Sequence, residues 1–533
     1  MRINNRRWKR ISFGNAAVLL MSAALISQVL GFFRTKLVNA NFGDLPVGDP
    51  QNAGVYFAAF VLPDFFFFVI AAGALGVAFM PYLNDRLAKS DKKGVWDLST
   101  SLLNFLSIFL FGVGLVMFVF ADVLASRLTH GYTPEQLHNV ALMMRILSLN
   151  PMLFTISGVI AAVQQVFGRF FFYAIAPIFY NVSIIASLYA FKDNIGIVGL
   201  AIGAAIGAVL QLLIIVVGVY GLGFHWKPQI KKTDDFRSML KQLPPRSLDQ
   251  GLDQVQNIVE TNLASNAALG GATAVANYNT AYVLHAAPIL LIGTAISTAV
   301  FPKLNARLSH GRYDLFRQDF LRTLRLIIWI VMPVVVICFF ARGYLARLIF
   351  SRTSSGPIAI IFGALCVAIL FRTIFAIISR WFYAQKDTRT PLFVSIFVIA
   401  LNVILAYSLS RPNSYGVVGL AIAQSIVATV EVVILGAIML SRDRQLFDAE
   451  FWGGIVKIVS VTGFSLIAGF ISVQLWPLMT ADKGMTLLLK LSAIAGVTGG
   501  THLLVSALFG LSEATALFGA VKKFVLKPVR MEY

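Results

Sequence analysis

The residues of this 533-residue chain that could do chemistry are charged and amide side chains set inside long apolar runs. Asp64 follows Pro63 within the run 54–87, and Glu260 lies in Ile258-Val-Glu-Thr-Asn262. Arg34 closes Gly31-Phe-Phe-Arg34-Thr-Lys36, and Arg145 stands in Met143-Met-Arg-Ile-Leu-Ser-Leu-Asn-Pro151. Hydrocarbon tolerates such groups only where protein or water receives them. Pro63 removes a backbone donor and bends its helix, so Asp64 reads as a cavity-lining acid; the plain alternative is a carboxylate paired with a neighbouring helix. Glu260 faces the same way as Gln256 on a strongly polar helix, which points to water rather than lipid. Arg145 is an anion contact or a side chain snorkelling to the interface. Arg34 is an interfacial anchor or a phosphate contact, since guanidinium matches phosphate geometry. Arg372, Glu431 and Lys457 are lone charges at membrane depth, read first as structural pairs or snorkels, with Arg372 kept as a further candidate ligand.

Enzyme chemistry is not expected. The six histidines include His285 and His502 but form no HExxH and no metal-ligand spacing, and no Gly-rich loop opens a helix. The glycines of 199–207 form a small-residue face for close helix packing. Cys338 and Cys366 both lie in apolar runs, which argues against a disulfide framework or a metal site. No cofactor is implied; any coupling would run through Na⁺ or the membrane potential.

The elements that must hold these residues are membrane spans. The chain is 58% hydrophobic and 13% charged, whereas soluble domains carry about a quarter charged residues. The fold class is all-α and polytopic, with about fourteen spans, near 14–33, 54–83, 98–121, 140–167, 171–191, 195–222, 247–269, 272–302, 321–341, 357–383, 391–410, 415–440, 453–477 and 484–511. The seventh carries Asp249, Asp253, Gln254, Gln256, Asn257 and Glu260, and only the internal symmetry recovers it. The net charge of +20 falls mostly in short loops, at 2–10, 86–93, 227–246, 303–317, 386–389 and 522–530. That distribution is topology information rather than a nucleic-acid surface, and it puts both termini in the cytoplasm. The basic N-terminus leads straight into an apolar helix without a small-residue cleavage site, and reads as a retained first span.

The chain is also duplicated. Pro81-Tyr-Leu-Asn84-Asp-Arg86-Leu87 returns as Pro302-Lys-Leu-Asn305-Ala-Arg307-Leu308, and Asn181-Val-Ser-Ile returns as Asn402-Val-Ile-Leu at the identical offset. Gly196-Ile-Val-Gly-Leu-Ala-Ile returns as Gly416-Val-Val-Gly-Leu-Ala-Ile, a single position short of that offset. An even number of spans precedes the second copy, so the halves are parallel repeats related by an axis along the membrane normal. The expected organisation is an N-terminal lobe at 1–223 and an amphipathic cytoplasmic connector at 224–246. A C-terminal lobe follows at 247–441, then two further spans within 442–511 and a cytoplasmic tail at 512–533. No loop is long enough for a soluble domain. Asn181 and Asn402, one per half, join the candidate site residues.

Several segments resemble the MurJ/MviN family, the lipid II flippases of the multidrug/oligosaccharidyl-lipid/polysaccharide exporter superfamily. They are Ser27-Gln-Val-Leu-Gly-Phe-Phe-Arg34, the Phe60-x-Leu-Pro63 turn, Gly73-Ala-Leu-x-x-Ala-Phe-x-Pro81, and Gly168-Arg169-Phe170 with Ala176-Pro177 and Asn181. Val259-Glu260-Thr261, Ala295-Ile-x-x-Ala-Val-Phe-Pro302 and Arg380-Trp-Phe-Tyr-Ala-Gln-Lys-Asp387-Thr-Arg-Thr-Pro391 complete a series covering nearly the whole chain, the last being the most specific. The resemblance implies two six-helix lobes around a central cavity, with two extra helices forming a groove for a lipid tail. It implies a bacterial inner-membrane protein whose cargo is undecaprenyl-pyrophosphate-linked disaccharide-pentapeptide, with membrane lipids and the cell-wall synthesis machinery as partners. By the same resemblance Glu260 corresponds to the acid of the seventh span; on this reading Arg34 and Arg145 attract the diphosphate, while Asp64, Gln28 and Glu260 shape the cavity or couple to ions. The chain departs from the family pattern at Gln28, which replaces an arginine, at Gly54, which replaces an aspartate, at Phe67-Phe68, which replaces a basic pair, and at Val283, which replaces an arginine. A pyrophosphate headgroup cannot cross hydrocarbon unaided, so a cationic polar path is what such a cargo needs. The alternatives are an exporter of another lipid-linked oligosaccharide, a cation-coupled drug antiporter on the same fold, and a non-transporting scaffold for cell-wall assembly.

Overall fold

The computed structural model describes residues 13–72, 79–350 and 355–515. The basic clusters at 2–10 and 522–530, positions 73–78 of the glycine-rich motif, and the tail from 516 onward lie outside the described residues. Regular structure within them is helical. Twelve helical segments are long and apolar enough to cross a membrane. The two long helices at the expected first and seventh spans, Phe13–Phe42 and Asp234–Ala264, stand outside that set.

The chain divides into two compact units, Met1–Ala276 and Asn277–Tyr533. The first begins with α1 (Phe13–Phe42) and α2 (Ala53–Phe67), and α2 runs on as a π-helical segment, Phe68–Ala72. Then come α3 (Met80–Ala88), α4 (Lys92–Val119), α5 (Ala121–Leu128), α6 (Pro134–Leu147), α7 (Asn150–Val166), α8 (Phe171–Phe191), α9 (Val198–Val219) and α10 (Asp234–Ala264). The starts follow local chemistry. Asn52 and Asp91 accept hydrogen bonds from the amides of Gly54 and Gly94, and Thr133 and Gln136 close a capping box around Pro134. The single span expected at 140–167 is one membrane-length segment, Pro134–Val166, interrupted by a turn at Ser148–Leu149, where Pro151 has no amide to donate to the preceding turn. Leu83, Leu102, Leu106, Val159, Ile215 and Met239 form the buried centre of this unit.

The stretch 224–246 falls into two parts. Its first part lies along α4: Lys231 Nζ meets Asp97 at 2.7 Å, Asn104 Nδ2 donates to the carbonyls of Lys227 (2.7 Å) and Gln229 (3.0 Å), and Trp226 Nε1 donates to Asn104 Oδ1 at 2.8 Å. Its second part, from Asp234, is the opening of α10, capped by Thr233 with Asp234 and Asp235 in the favourable first turn. Connector and seventh span are therefore one helix, which packs on α2, its π segment, α4 and α5.

Helix α11 (Ala272–Pro288) carries the chain into the second unit. A π segment (Ile289–Thr294), α12 (Ala295–Ser309), α13 (Tyr313–Phe340), α14 (Arg342–Ile349), α15 (Ser355–Ala384), α16 (Arg389–Leu409) and α17 (Val417–Arg442) follow. The duplication extends to the breaks. Helices α4 and α13 both have 28 residues and α5 and α14 both have 8. The starts of each pair, and of the two π segments, are separated by the same offset as the repeated Pro81 and Pro302 motifs. One break is not repeated: the repeat position of Pro151 is Arg372, and α15 runs through it unbroken. Leu304, Phe320, Ile327, Phe382, Val398 and Met439 centre this unit. Helices α18 (Ala449–Leu475) and α19 (Gly484–Leu508) pack on each other and on α13. Trp329 Nε1 donates to Ser506 Oγ at 2.9 Å, Ser465 Oγ and His502 Nδ1 are 3.1 Å apart, and Arg325 meets Glu513 at 2.8 Å. Their outer faces expose Trp452, Val456, Phe464, Ile467, Phe470 and Leu504, as lipid contact requires.

Candidate functional site

In the first unit, Arg34 from α1, Tyr56 and Asp64 from α2, and Tyr180 from α8 lie within electrostatic reach of one another. Local sequence places them. Tyr56 and Asp64 are two turns apart on one face of α2, which continues through Pro63 as a helix before loosening at Phe68. Asn181, next to Tyr180, holds α8 to α1: its Nδ2 donates to Ser27 Oγ (3.3 Å), the Ser27 carbonyl (3.4 Å) and the Pro177 carbonyl of its own helix (3.2 Å). Ser27, Gly31 and Arg34 share a face at helical spacing, so the contact at Ser27 sets where Arg34 points.

Among the described residues Arg34 makes no ion pair within 4.0 Å, and its Nε is buried without a hydrogen-bond partner. A guanidinium with two phenols and a carboxylate within electrostatic reach, and no ion pair among the described residues, is a charge kept available rather than consumed.

The other candidates fall elsewhere. Arg145 Nη2 pairs with Asp122 at 2.5 Å across α5 and α6, and its Nε reaches the Phe118 carbonyl at 3.4 Å. Gln28 is exposed on α1. Glu260, 3% exposed, accepts from Gln256 Nε2 at 2.9 Å, one turn earlier on α10. Arg372 pairs with Glu431 at 2.9 Å, so its charge is balanced within the second unit. Asn402 is fully buried, with neither amide atom partnered among the described residues. The lone Lys457 is exposed.

Gly54 has a steric explanation. A Cβ there would stand 1.9 Å from the Ala272 carbonyl oxygen, so backbone packing closes the position to any side chain. Sequence reasoning missed Tyr56 and Tyr180. The two-turn spacing from Tyr56 to Asp64 was the available signal for one, and the adjacency to Asn181 for the other. It also missed that Glu431 is the partner of Arg372. Among the described residues no cluster of His, Cys, Asp or Glu could hold a metal ion, and both cysteines are free and buried.

A duplicated bundle of long apolar helices with charged groups at membrane depth is the architecture of a polytopic membrane transporter. Within that class, the chain belongs to the family described as lipid II flippase MurJ, whose profile matches residues 41–491. It is 25% identical over 460 residues to a probable lipid II flippase MurJ of Borreliella burgdorferi, covering 85% of this chain and 88% of that one. It is 24% identical over 511 residues to a protein of the same description from Rhizobium meliloti, covering 92% and 93%. Among solved structures, a lipid II flippase MurJ in an inward closed conformation superposes with a TM-score of 0.75 at 20% identity, covering 92% of this chain and 98% of that one. An inward-facing multidrug-resistance MATE transporter superposes at 0.65 and 18% identity, covering 83% and 98%.

Proposed function

We propose that this protein is a lipid II flippase of the bacterial cytoplasmic membrane, moving undecaprenyl-pyrophosphate-linked muropeptide from the inner to the outer leaflet by alternating access, with both termini cytoplasmic. Family membership supplies the cargo class. The single structural observation that carries the site is the unpaired Arg34 guanidinium beside Tyr56 and Tyr180. A diphosphate offers that guanidinium the bidentate partner it lacks, and phenol hydroxyls can donate to the remaining oxygens. Asp64 balances the arginine while the site is empty and disfavours retention of an anion, which suits a carrier that must release its cargo. The lipid tail stays in hydrocarbon along the apolar faces of α18 and α19. Transport is the whole activity in this reading; no bond is made or broken. The cell-wall synthesis machinery that consumes the flipped precursor is the natural partner. Membrane potential can contribute about 2.3 kcal/mol per charge per 100 mV.

The test is complementation of a bacterium depleted of its own lipid II flippase, with wild type, R34A and R145A at matched membrane abundance. Growth with wild type and R145A but not R34A is the expected pattern. A well-inserted wild-type protein that fails to rescue growth rules out lipid II and directs attention to another lipid-linked glycan.

A further inference from the structure

Four helices of the second unit bring polar groups together at membrane depth. Glu431 on α17 accepts from Arg372 Nη1 on α15 at 2.9 Å and from Ser395 Oγ on α16 at 2.9 Å, and it is 2% exposed. Those contacts account for two opposite charges in a buried place. They do not account for His285 on α11. It is 4% exposed, both ring nitrogens lack a hydrogen-bond partner among the described residues, and the Arg372 guanidinium lies within electrostatic reach. Burying an imidazole with neither nitrogen satisfied is costly. Such a group is retained where it has something to receive.

The backbone beside it is not regular helix. Directly after α11 comes the π segment Ile289–Thr294, and its Gly293 lies against Thr373, the neighbour of Arg372. The Thr373 hydroxyl is also buried without a partner among the described residues. Such π segments mark places where helix geometry has been relaxed, frequently at functional sites.

We propose that this cluster is a proton-binding site of the second unit, in which an imidazolium at His285 competes with the Arg372 guanidinium for the one carboxylate of Glu431. The step is a plain proton transfer. A hydronium ion gives its proton to a ring-nitrogen lone pair, water leaves, and no electrons change hands. While Arg372 holds Glu431, the guanidinium within electrostatic reach of His285 disfavours a second positive charge and the ring stays neutral. When Glu431 turns toward His285, the proton is retained and Arg372 is released. Proton occupancy therefore biases two arrangements of the same three side chains, which is the thermodynamic requirement for coupling. Arg372 of α15 lies within electrostatic reach of His285, Glu431 of α17 is bound to Arg372 at 2.9 Å, and Tyr282 of the same helix stands with its ring centroid 5.3 Å from the imidazole. A metal cation suits the place poorly, because the guanidinium repels it and both carboxylate oxygens are already engaged.

The proposal does not depend on the identity of the cargo. The experiment is nitrogen-15 NMR of histidine-labelled full-length protein in lipid nanodiscs from pH 8.5 to 5. The chain has six histidines, so the His285 resonances are assigned as those missing from H285Q and, independently, from H285N. The expected result is a passage from neutral to imidazolium shifts in wild type, with the imidazolium form suppressed in E431Q. A ring that stays neutral down to pH 5 in wild type overturns the proposal, as does an E431Q spectrum that titrates like wild type. A second arm compares lipid II movement in proteoliposomes with and without an imposed proton gradient. A rate that responds in wild type but not in H285Q extends the site to coupling. If lipid II does not move at all, the functional reading fails while the NMR result still decides the proton site.

Discussion

The first and second units carry nearly the same helices in the same order at a constant sequence offset, yet they treat intramembrane charge in opposite ways. In the first, Arg34 stands beyond ion-pair distance from Asp64, and its Nε has no partner among the described residues. In the second, Arg372 is bound to Glu431, and Glu431 is bound again by Ser395. Neither arginine occupies the other's repeat position; Arg372 sits where the first unit has Pro151. Duplication has preserved the backbone down to its π segments while the charges were placed anew in each half. An unpaired guanidinium can receive a ligand, whereas a paired one fixes helices. This contrast supports the proposed anion contact at Arg34 in the first unit and the reading of Arg372 as part of a different device.

The largest effect should come from breaking the pair in the second unit. E431Q removes the carboxylate that Arg372 binds at 2.9 Å in a buried place, and taking away one partner of a buried pair costs about 3–5 kcal/mol. The double variant R372M/E431M should recover most of that loss, because two charges leave together. Thermal unfolding in detergent reads both, and equal loss in the single and double variants would show that the pair does not act as a unit. Next comes Arg34. R34A should lower lipid II transport about 10- to 100-fold, the value of a charge-assisted hydrogen bond, with little change in stability. R145A should change transport less than twofold, because Arg145 is engaged with Asp122, whose side chain is 65% exposed, and surface pairs contribute little. Equal losses in the two variants would erase the distinction between available and consumed guanidinium.

Most of the fold was legible because its signal is redundant: apolar runs of bilayer length, basic loops, and motifs returning at a fixed offset. The breaks were less legible. Pro151 announces the turn within the fourth span, but the π segments follow from how backbone carbonyls pair over several residues, and composition does not encode that. The site was half legible. Arg34 and Asp64 declare themselves by charge in hydrocarbon, and Gln256 and Glu260 by sharing a helix face. Whether a charge is paired depends on a second helix far away in sequence, so Glu431 could not be matched to Arg372, nor Asp122 to Arg145. Gly54 shows the same limit. A missing aspartate looks like a lost function, while the backbone contact with Ala272 leaves no room for it.

A smaller effect tests the two repeated asparagines. Asn181 joins α8 to α1 through Ser27, while Asn402, fully buried, has neither amide atom partnered among the described residues. The equivalent substitutions should therefore differ. N181A should cost about 1–2 kcal/mol in stability and also lower transport, because α1 carries Arg34. N402A should be close to neutral, since removing an unsatisfied polar group relieves a penalty about as large as the contacts it loses. A large loss in N402A would mean that its amide is satisfied in a second arrangement of the protein.

The smallest expected effect comes from the turns that follow α7 and α15, where the two units solve one problem with charges reversed. Each turn passes through the left-handed region, at Gly168 with φ +74° and at Lys386 with φ +62°. In the first unit an arginine on the turn grips the end of a helix: Arg169 Nη1 donates to the carbonyls of Gly218 (3.2 Å) and Tyr220 (2.7 Å) at the close of α9. In the second an acid on the turn is gripped by an arginine at the end of a helix. Arg442 of α17 meets Asp387 at 2.8 Å, and Asp387 also accepts from the amide and hydroxyl of Thr390. Burial pushes the Asp387 carboxyl upward, but the Thr390 and Arg442 hydrogen bonds outweigh it and hold the group at about 2. Its charge therefore stabilises the fold above the ordinary carboxylate value near 3.9, and that contribution is lost as pH falls from there through about 2. Because solvent screens the site, the contribution is about 1 kcal/mol or less. Thermal midpoints of wild type should fall more steeply than those of D387N between pH 4 and 2.5, and R169Q should leave that slope unchanged. Parallel slopes for wild type and D387N would mean that the second turn, like the first, is held by hydrogen bonds that do not depend on an acid.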